Sequence, residues 1–153
     1  RTGGDAGVAE GPIAECVARY RRPAARARIG ALLGRNRAAS ACMDTSDGVA
    51  DAIAQICSAS GTGAILDAAL LPVHPGAAER FAGRDPILAA LAGGDDYELL
   101  FTSPHRHRGR LRHVTKEARG VALTRIGELT KDRAVVLTRD GRAEPLPAGF
   151  VHF

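Results

Sequence analysis

Apolar side chains recur at Ile13, Cys16, Val17 and Tyr20, the i, i+3, i+4, i+7 spacing of a single helix face. Arg21, Arg22 and Pro23 interrupt that pattern. A second helix is predicted from Ala24 to about Arg35, with Ile29, Leu32 and Leu33 turned inward. Residues 39–43 form an apolar run of strand length, followed by the polar turn Asp44-Thr45-Ser46-Asp47-Gly48. Val49, Ile53, Ile56 and Cys57 then repeat at helical spacing, and Gly61 and Gly63 close that helix.

Residues 64–67 read as a strand and residues 70–76 as a proline-punctuated connection, in which His74 is a loop residue. Asp85-Pro86 opens another helix through Ile87, Leu88 and Leu91 that stops at Gly93-Gly94. A strand is predicted over 97–102, then a basic surface helix with Leu111 and Val114 that ends at Gly120. Three β-like runs follow at 121–129, 134–138 and 142–146, the last two forming a hairpin around Asp140-Gly141. Strands alternating with helices predict an α/β layered fold, a mixed β-sheet with helices packed on it. Residues 1–12, rich in glycine and small or acidic side chains, read as a leading loop.

Composition narrows the class. A chain of 153 residues, 45% hydrophobic and 25% charged, falls within one globular domain and away from disorder. No apolar run approaches the roughly 18 residues that span a bilayer, and no signal segment opens the chain, so a cytoplasmic protein off the membrane is expected. The only methionine is Met43, which points to a processed start or a piece of something longer. A net charge of +4 permits nucleic-acid contact without requiring it, and with no Trp, two Tyr and four Phe there is little to stack on bases. Nucleic acid is therefore not an expected partner. Cys16, Cys42 and Cys57 are odd in number and form no CxxC pair, which suits a reducing compartment and casts each thiol as a small buried hydrophobe.

Two clusters carry candidate chemistry. The turn at Asp44–Gly48 sets two carboxylates and two hydroxyls between a strand end and a helix start, where α/β folds bind ligands and where backbone N–H groups favour phosphate. Carboxylates would repel phosphate unless a divalent cation bridges them, and hard oxygen donors of this kind suit Mg2+. The competing reading is a plain N-cap at Ser46 or Asp47 with Gly48 as a turn residue. Gly93-Gly94-Asp95-Asp96-Tyr97-Glu98 is the second cluster: either a close backbone approach to a ligand beside paired carboxylates, or a helix end followed by an acidic turn. His105, His107 and His113 lie among Arg106, Arg108, Arg110 and Arg112, a pattern favouring a solvated helix face over a metal or nucleic-acid site. Arg19, Arg21 and Arg22 fit either a phosphate or partner contact or a basic helix end.

Together these segments resemble the thiamine-monophosphate kinases. Ala41-Cys42-Met43-Asp44-Thr45-Ser46-Asp47-Gly48 is similar to the family's MDxSDG segment, and residues 93–102 to its GGEDYELLFT segment. Gly149-Phe150-Val151-His152-Phe153 is similar to its GYDHF ending, and Arg19-Tyr20-Arg21-Arg22-Pro23 to its RYxxP segment. The resemblance implies the C-terminal (PurM-like) domain fold of the aminoimidazole ribonucleotide synthetase superfamily, in a dimeric enzyme. It implies transfer of the γ-phosphoryl group of ATP to thiamine phosphate with Mg2+. By the same resemblance, Asp44 and Asp47 are magnesium ligands, Ser46 contacts ATP, and Asp95 and Phe150 contact the substrate. Three positions depart from the pattern: Asp95 stands for a glutamate, Thr45 for an aliphatic residue and Phe150 for Tyr or Trp. Nothing in the chain matches the family's N-terminal half, which carries further metal ligands and much of the nucleotide site. The fragment alone is therefore expected to be inactive. The alternatives are a non-catalytic dimerisation or ligand-binding module, and another enzyme of the superfamily acting on a different phosphate-bearing acceptor.

Overall fold

The computed structural model describes residues 11–81 and 83–147. In chain order these form α1 (Pro12–Arg21), α2 (Ala27–Arg35), β1 (Ala41–Asp44), α3 (Val49–Ser60), β2 (Gly63–Asp67), α4 (Pro75–Arg80) and α5 (Pro86–Ala92). There follow β3 (Leu99–Thr102), α6 (Arg108–Glu117), β4 (Gly127–Thr130), β5 (Val135–Arg139) and β6 (Arg142–Pro145). Short 3₁₀ turns lie at Ala68–Leu70 and His105–His107.

The strands divide into two sheets. In one, β1 and β3 pair antiparallel, with Ala41 opposite Thr102 and Asp44 opposite Leu99. The other has the order β4-β2-β5-β6, in which β2 runs parallel to β5 and the other pairings are antiparallel. This is the mixed sheet the alternation predicts, with β1 and β3 split off as a separate ribbon. The β5–β6 hairpin turns at Asp140 and Gly141, both with positive φ (50° and 76°), as a two-residue loop of the primed type requires.

Two hydrophobic clusters flank the ribbon. Ala50, Ile53 and Cys57 of α3, Ala64 and Leu66 of β2, Leu91 of α5 and Leu137 of β5 close the first, with Leu100 packed against it. Ile29, Leu32 and Leu33 of α2 close the second with Val114 and Ala118, and Leu99 and Phe101 pack there. Alternate side chains of β3 thus point into different cores, as the period of a strand dictates. A two-stranded ribbon has little stability by itself; here it is clamped from both faces.

Several elements differ from expectation for local reasons. Helix α2 starts at Ala27 instead of Ala24. Residues 121–126 form no ladder, yet Val121, Leu123 and Ile126 still pack on the two clusters. Helix α6 is exposed on its basic side but not all round, since Val114 is fully buried. Helix α4 begins on the last two residues of the connection expected over 70–76, because His74 caps it: its Nδ1 accepts the Gly76 N–H at 3.2 Å, and Pro75 takes the first turn. Of the three cysteines only Cys57 is a buried hydrophobe; Cys42 is exposed and Cys16 partly so.

Asp85 ties α5 to the four-stranded sheet. Its Oδ1 accepts the Ile87 and Leu88 N–H groups at 2.9 and 3.2 Å, while Oδ2 pairs with the Arg139 guanidinium of β5. That guanidinium, and then the two amides, hold the carboxyl below its ordinary value. A lowered folded-state value stabilises above the unfolded pKa of about 3.9, and that stability is lost as pH falls through the folded value. In urea unfolding, Asp85→Asn is expected to be less stable than the parent at pH 7. The gap is expected to shrink below about pH 4; a gap of constant size would show that the carboxylate charge is not used.

Candidate functional site

Antiparallel pairing of β1 with β3 sets the end of one strand beside the start of the other. The polar turn leaves β1 at Asp44 and the acidic segment enters β3 at Leu99, so the two meet in space. Backbone hydrogen bonds join them directly: the Asp95 N–H donates to the Ser46 carbonyl at 2.7 Å, and the Thr45 N–H to the Glu98 carbonyl at 3.0 Å. The Thr45 hydroxyl accepts the Glu98 N–H at 3.2 Å and lies 3.4 Å from the Glu98 carbonyl. Thr45 is the buried polar residue of the described core, 3% exposed. A hydroxyl at this position, where the resembled motif carries an aliphatic side chain, serves as a strut between the two segments.

Gly48 closes the corner. It holds the N-cap position of α3 with φ near 93°, and a Cβ there would lie 2.9 Å from the Gly93 carbonyl oxygen and 3.0 Å from that of Leu91. Neither Ser46 nor Asp47 occupies the cap position, so the plain N-cap reading of the turn does not hold. The end of α5 is thus pressed against the turn.

Asp44 is exposed at the end of β1, and Ser46 and Asp47 are partly exposed in the turn. A hydrogen bond from the Ser46 side chain, helped by the Asp44 and Ser46 amides, holds the Asp44 carboxyl below its ordinary value, so it is ionised at neutral pH. Asp95 is exposed and carries a left-handed backbone (φ near 66°), as does Tyr97 (φ near 51°), whose hydroxyl lies 3.4 Å from Asp95 Oδ1. Desolvation, then repulsion from Glu98 and Asp95, pushes the Asp96 carboxyl up. Asp44, Ser46, Asp47 and Asp95 are thus carried on hydrogen-bonded neighbouring segments. Phe150 lies outside the described residues.

Arg26 escapes the sequence patterns. Its Nε and Nη2 donate to Glu98 Oε2 and Oε1 at 2.7 and 2.5 Å, a two-pronged pair that anchors the α1–α2 connection to the acidic segment. The fork, with desolvation opposing it, raises the pKa of Arg26. Only the charge of the side chain marks it in the sequence. His105, His113 and the arginines from 106 to 112 are exposed, the solvated face that their pattern favours. Among the described residues no three His, Cys, Asp or Glu side chains converge into a group able to hold a metal ion. A cleft of about 540 Å³ lies at the ends of β2 and β5 and the start of α5, lined by Asp67, Asp85 and Arg139 among others. It contains none of the four turn residues. No helix among the described residues is long and apolar enough to cross a membrane.

Comparison with known proteins places the architecture. The chain belongs to the family described as AIR synthase related protein, C-terminal domain, whose model matches residues 7–140. Within that family its relatives are thiamine-monophosphate kinases, as the two motifs indicate: that of Escherichia coli is 38% identical over 139 residues, covering 90% of this chain. The crystal structure of the Stenotrophomonas maltophilia thiamine-monophosphate kinase superposes with a TM-score of 0.73 at 32% identity, covering 86% of this chain and 40% of that one. A structure described as AaThiL complexed with AMPPCP and TMP gives 0.71 at 31% identity, covering 95% of this chain and 43% of that one. The chain spans 42% of the length of the Escherichia coli relative.

The tight corner yields a direct test. Gly48→Ala introduces a Cβ where φ is positive and backbone oxygens stand at 2.9–3.0 Å. A loss of about 2 kcal/mol or more in urea unfolding is expected. An Ala variant as stable as the parent would mean that the end of α5 is not held against the turn.

Proposed function

We propose that this chain is the C-terminal half of a thiamine-monophosphate kinase, which in its longer form transfers the γ-phosphoryl group of ATP to thiamine phosphate and yields thiamine diphosphate. One observation carries the reading: the two segments that resemble the kinase motifs are hydrogen-bonded to each other through Asp95–Ser46 and Thr45–Glu98. Residues 1–153 act as one domain, and a further half of the longer protein supplies the remaining metal ligands and nucleotide contacts. The protein works as a cytoplasmic homodimer.

Asp44 and Asp47 offer hard carboxylate oxygens on one turn, a donor type that suits Mg2+, and Asp44 is held ionised for it. The two aspartates would supply part of a coordination set. When bound, the metal neutralises and orients phosphate oxygens. Ser46 contacts ATP from the same turn. Asp95 contacts thiamine phosphate with a side chain one methylene shorter than the glutamate of the motif, and the Phe150 ring stacks on the thiamine part. The acceptor phosphate is already an oxyanion, so no general base is assigned.

A second reading has an observation in its favour. The incomplete ligand set and Asp95 in place of glutamate suit a non-catalytic dimerisation or ligand-binding module. The open reading frame containing this chain distinguishes the two. Purified with ATP, Mg2+ and thiamine phosphate, it is expected to form thiamine diphosphate. Asp44→Ala and Asp47→Ala are each expected to lower kcat by about 100-fold or more, the scale of removing a charge-stabilising group. The 153-residue chain alone is expected to form none. Failure of the longer protein would favour the module, or an enzyme of the superfamily with another acceptor. Near-normal kcat in both variants would remove the two aspartates from the metal site.

A further inference from the structure

Away from the motif segments, α1 and α4 meet at a cluster of three side chains. Cys16 Sγ lies 2.9 Å from His74 Nδ1, and His74 Nε2 lies 3.3 Å from Glu15 Oε2. Glu15 is paired on its other side with Arg19 at 2.9 Å. The Gly76 N–H donates to the same Nδ1 at 3.2 Å. An Nδ1 that accepts an amide proton carries none itself, so the ring proton sits on Nε2 and is directed at the Glu15 carboxylate. The hydrogen between sulfur and Nδ1 is then the thiol's own.

From this arrangement we infer that Cys16 is a thiol-modification site, at which His74 accepts the thiol proton and a low-molecular-weight disulfide supplies the incoming group. Nucleophile, base and orienting carboxylate are in hydrogen-bonding order, the pattern that activates a thiol. Glu15 stays ionised beside the ring, because Arg19, then His74, holds its carboxyl below the ordinary value. Around the imidazole, α1 presents Glu15 and, behind it, Arg19, and α4 presents its Gly76 amide. The thiol proton moves to the single lone pair of Nδ1, which the Gly76 N–H gives up, and the thiolate attacks one sulfur of the disulfide. The old S–S bond breaks as a new one forms at Cys16, and the departing thiolate takes the proton from Nδ1. One thiol and one disulfide give one mixed disulfide and one thiol, so no further oxidant is needed.

The site is accessible, since Cys16 is partly exposed, and it differs from the other cysteines. Cys57 is 2% exposed, and Cys42 has no imidazole among its described hydrogen-bond partners. A group added at Cys16 lands on the seam where Gly76 receives the backbone of Pro12, a contact too close for any larger residue. Modification therefore acts on the attachment of α1.

Peptide mapping by mass spectrometry tests this, with the full 153-residue chain incubated in glutathione disulfide between pH 6 and 9. Cys16 is expected to be modified about tenfold faster than Cys42 at pH 7, the effect of a base within hydrogen-bonding reach of one thiol and not of the other. His74→Asn keeps an acceptor for the Gly76 amide but no base. It is expected to slow Cys16 about tenfold at pH 7 while leaving the Cys42 rate unchanged. Modification of Cys42 or Cys57 ahead of Cys16, or an unchanged Cys16 rate in His74→Asn, overturns the inference. Buried Cys57 reports folding. If the variant exposes it, Glu15→Gln on the surface of α1 gives the second reading: a Cys16 rate lowered about threefold supports the relay, and an unchanged rate overturns it.

Discussion

The Thr45–Glu98 hydrogen bonds are the constraint on which the site depends. Two loops rich in carboxylates repel one another, and nothing in their charge brings them together. Pairing of β1 with β3 fixes their strand ends, and a buried hydroxyl takes the Glu98 amide at the point where the ladder stops. A buried amide without an acceptor costs on the order of 1–3 kcal/mol, so the join is favoured over any arrangement that leaves Glu98 unpaired. Arg26 then neutralises the Glu98 side chain from a third segment, lowering the repulsion the strands impose.

Placement of this join follows from the cores. Leu100 faces one cluster while Leu99 and Phe101 face the other, so a one-residue slip of β3 would exchange its partners on both sides. Register is specified twice, and the position of Asp95 relative to Ser46 is specified with it. Gly48 supplies the remaining condition by letting the end of α5 reach the turn. Among the described residues no three His, Cys, Asp or Glu side chains converge at this corner.

Legibility in the sequence followed the range of the forces involved. Helices α3 and α5 and the β5–β6 hairpin were readable because glycine, proline and capping residues act within a few positions. Both acidic segments were visible as motifs. Their contact was not, because Thr45 and Glu98 are 53 residues apart and a threonine in a turn has no special signature. Arg26 was hidden for the same reason, one arginine among many. His74 is the loop residue the sequence suggests, but its capping role is not legible there, because serine, threonine, aspartate and asparagine are the common cap signals. The split of the strands into two sheets depends on which core each face buries, and alternation alone does not carry that information.

Helix α1 contributes no buried residue, and Ile13, Val17 and Tyr20 are 36, 43 and 68% exposed. It rests on α4 through the Pro12–Gly76 approach and the Cys16–His74 contact, outside both hydrophobic clusters. Its detachment would leave those clusters closed and the β1–β3 ribbon paired. The free energy of opening this segment is therefore set locally, well below that of global unfolding, so amide protons of α1 belong to a faster-exchanging unit than those of α3 or β2.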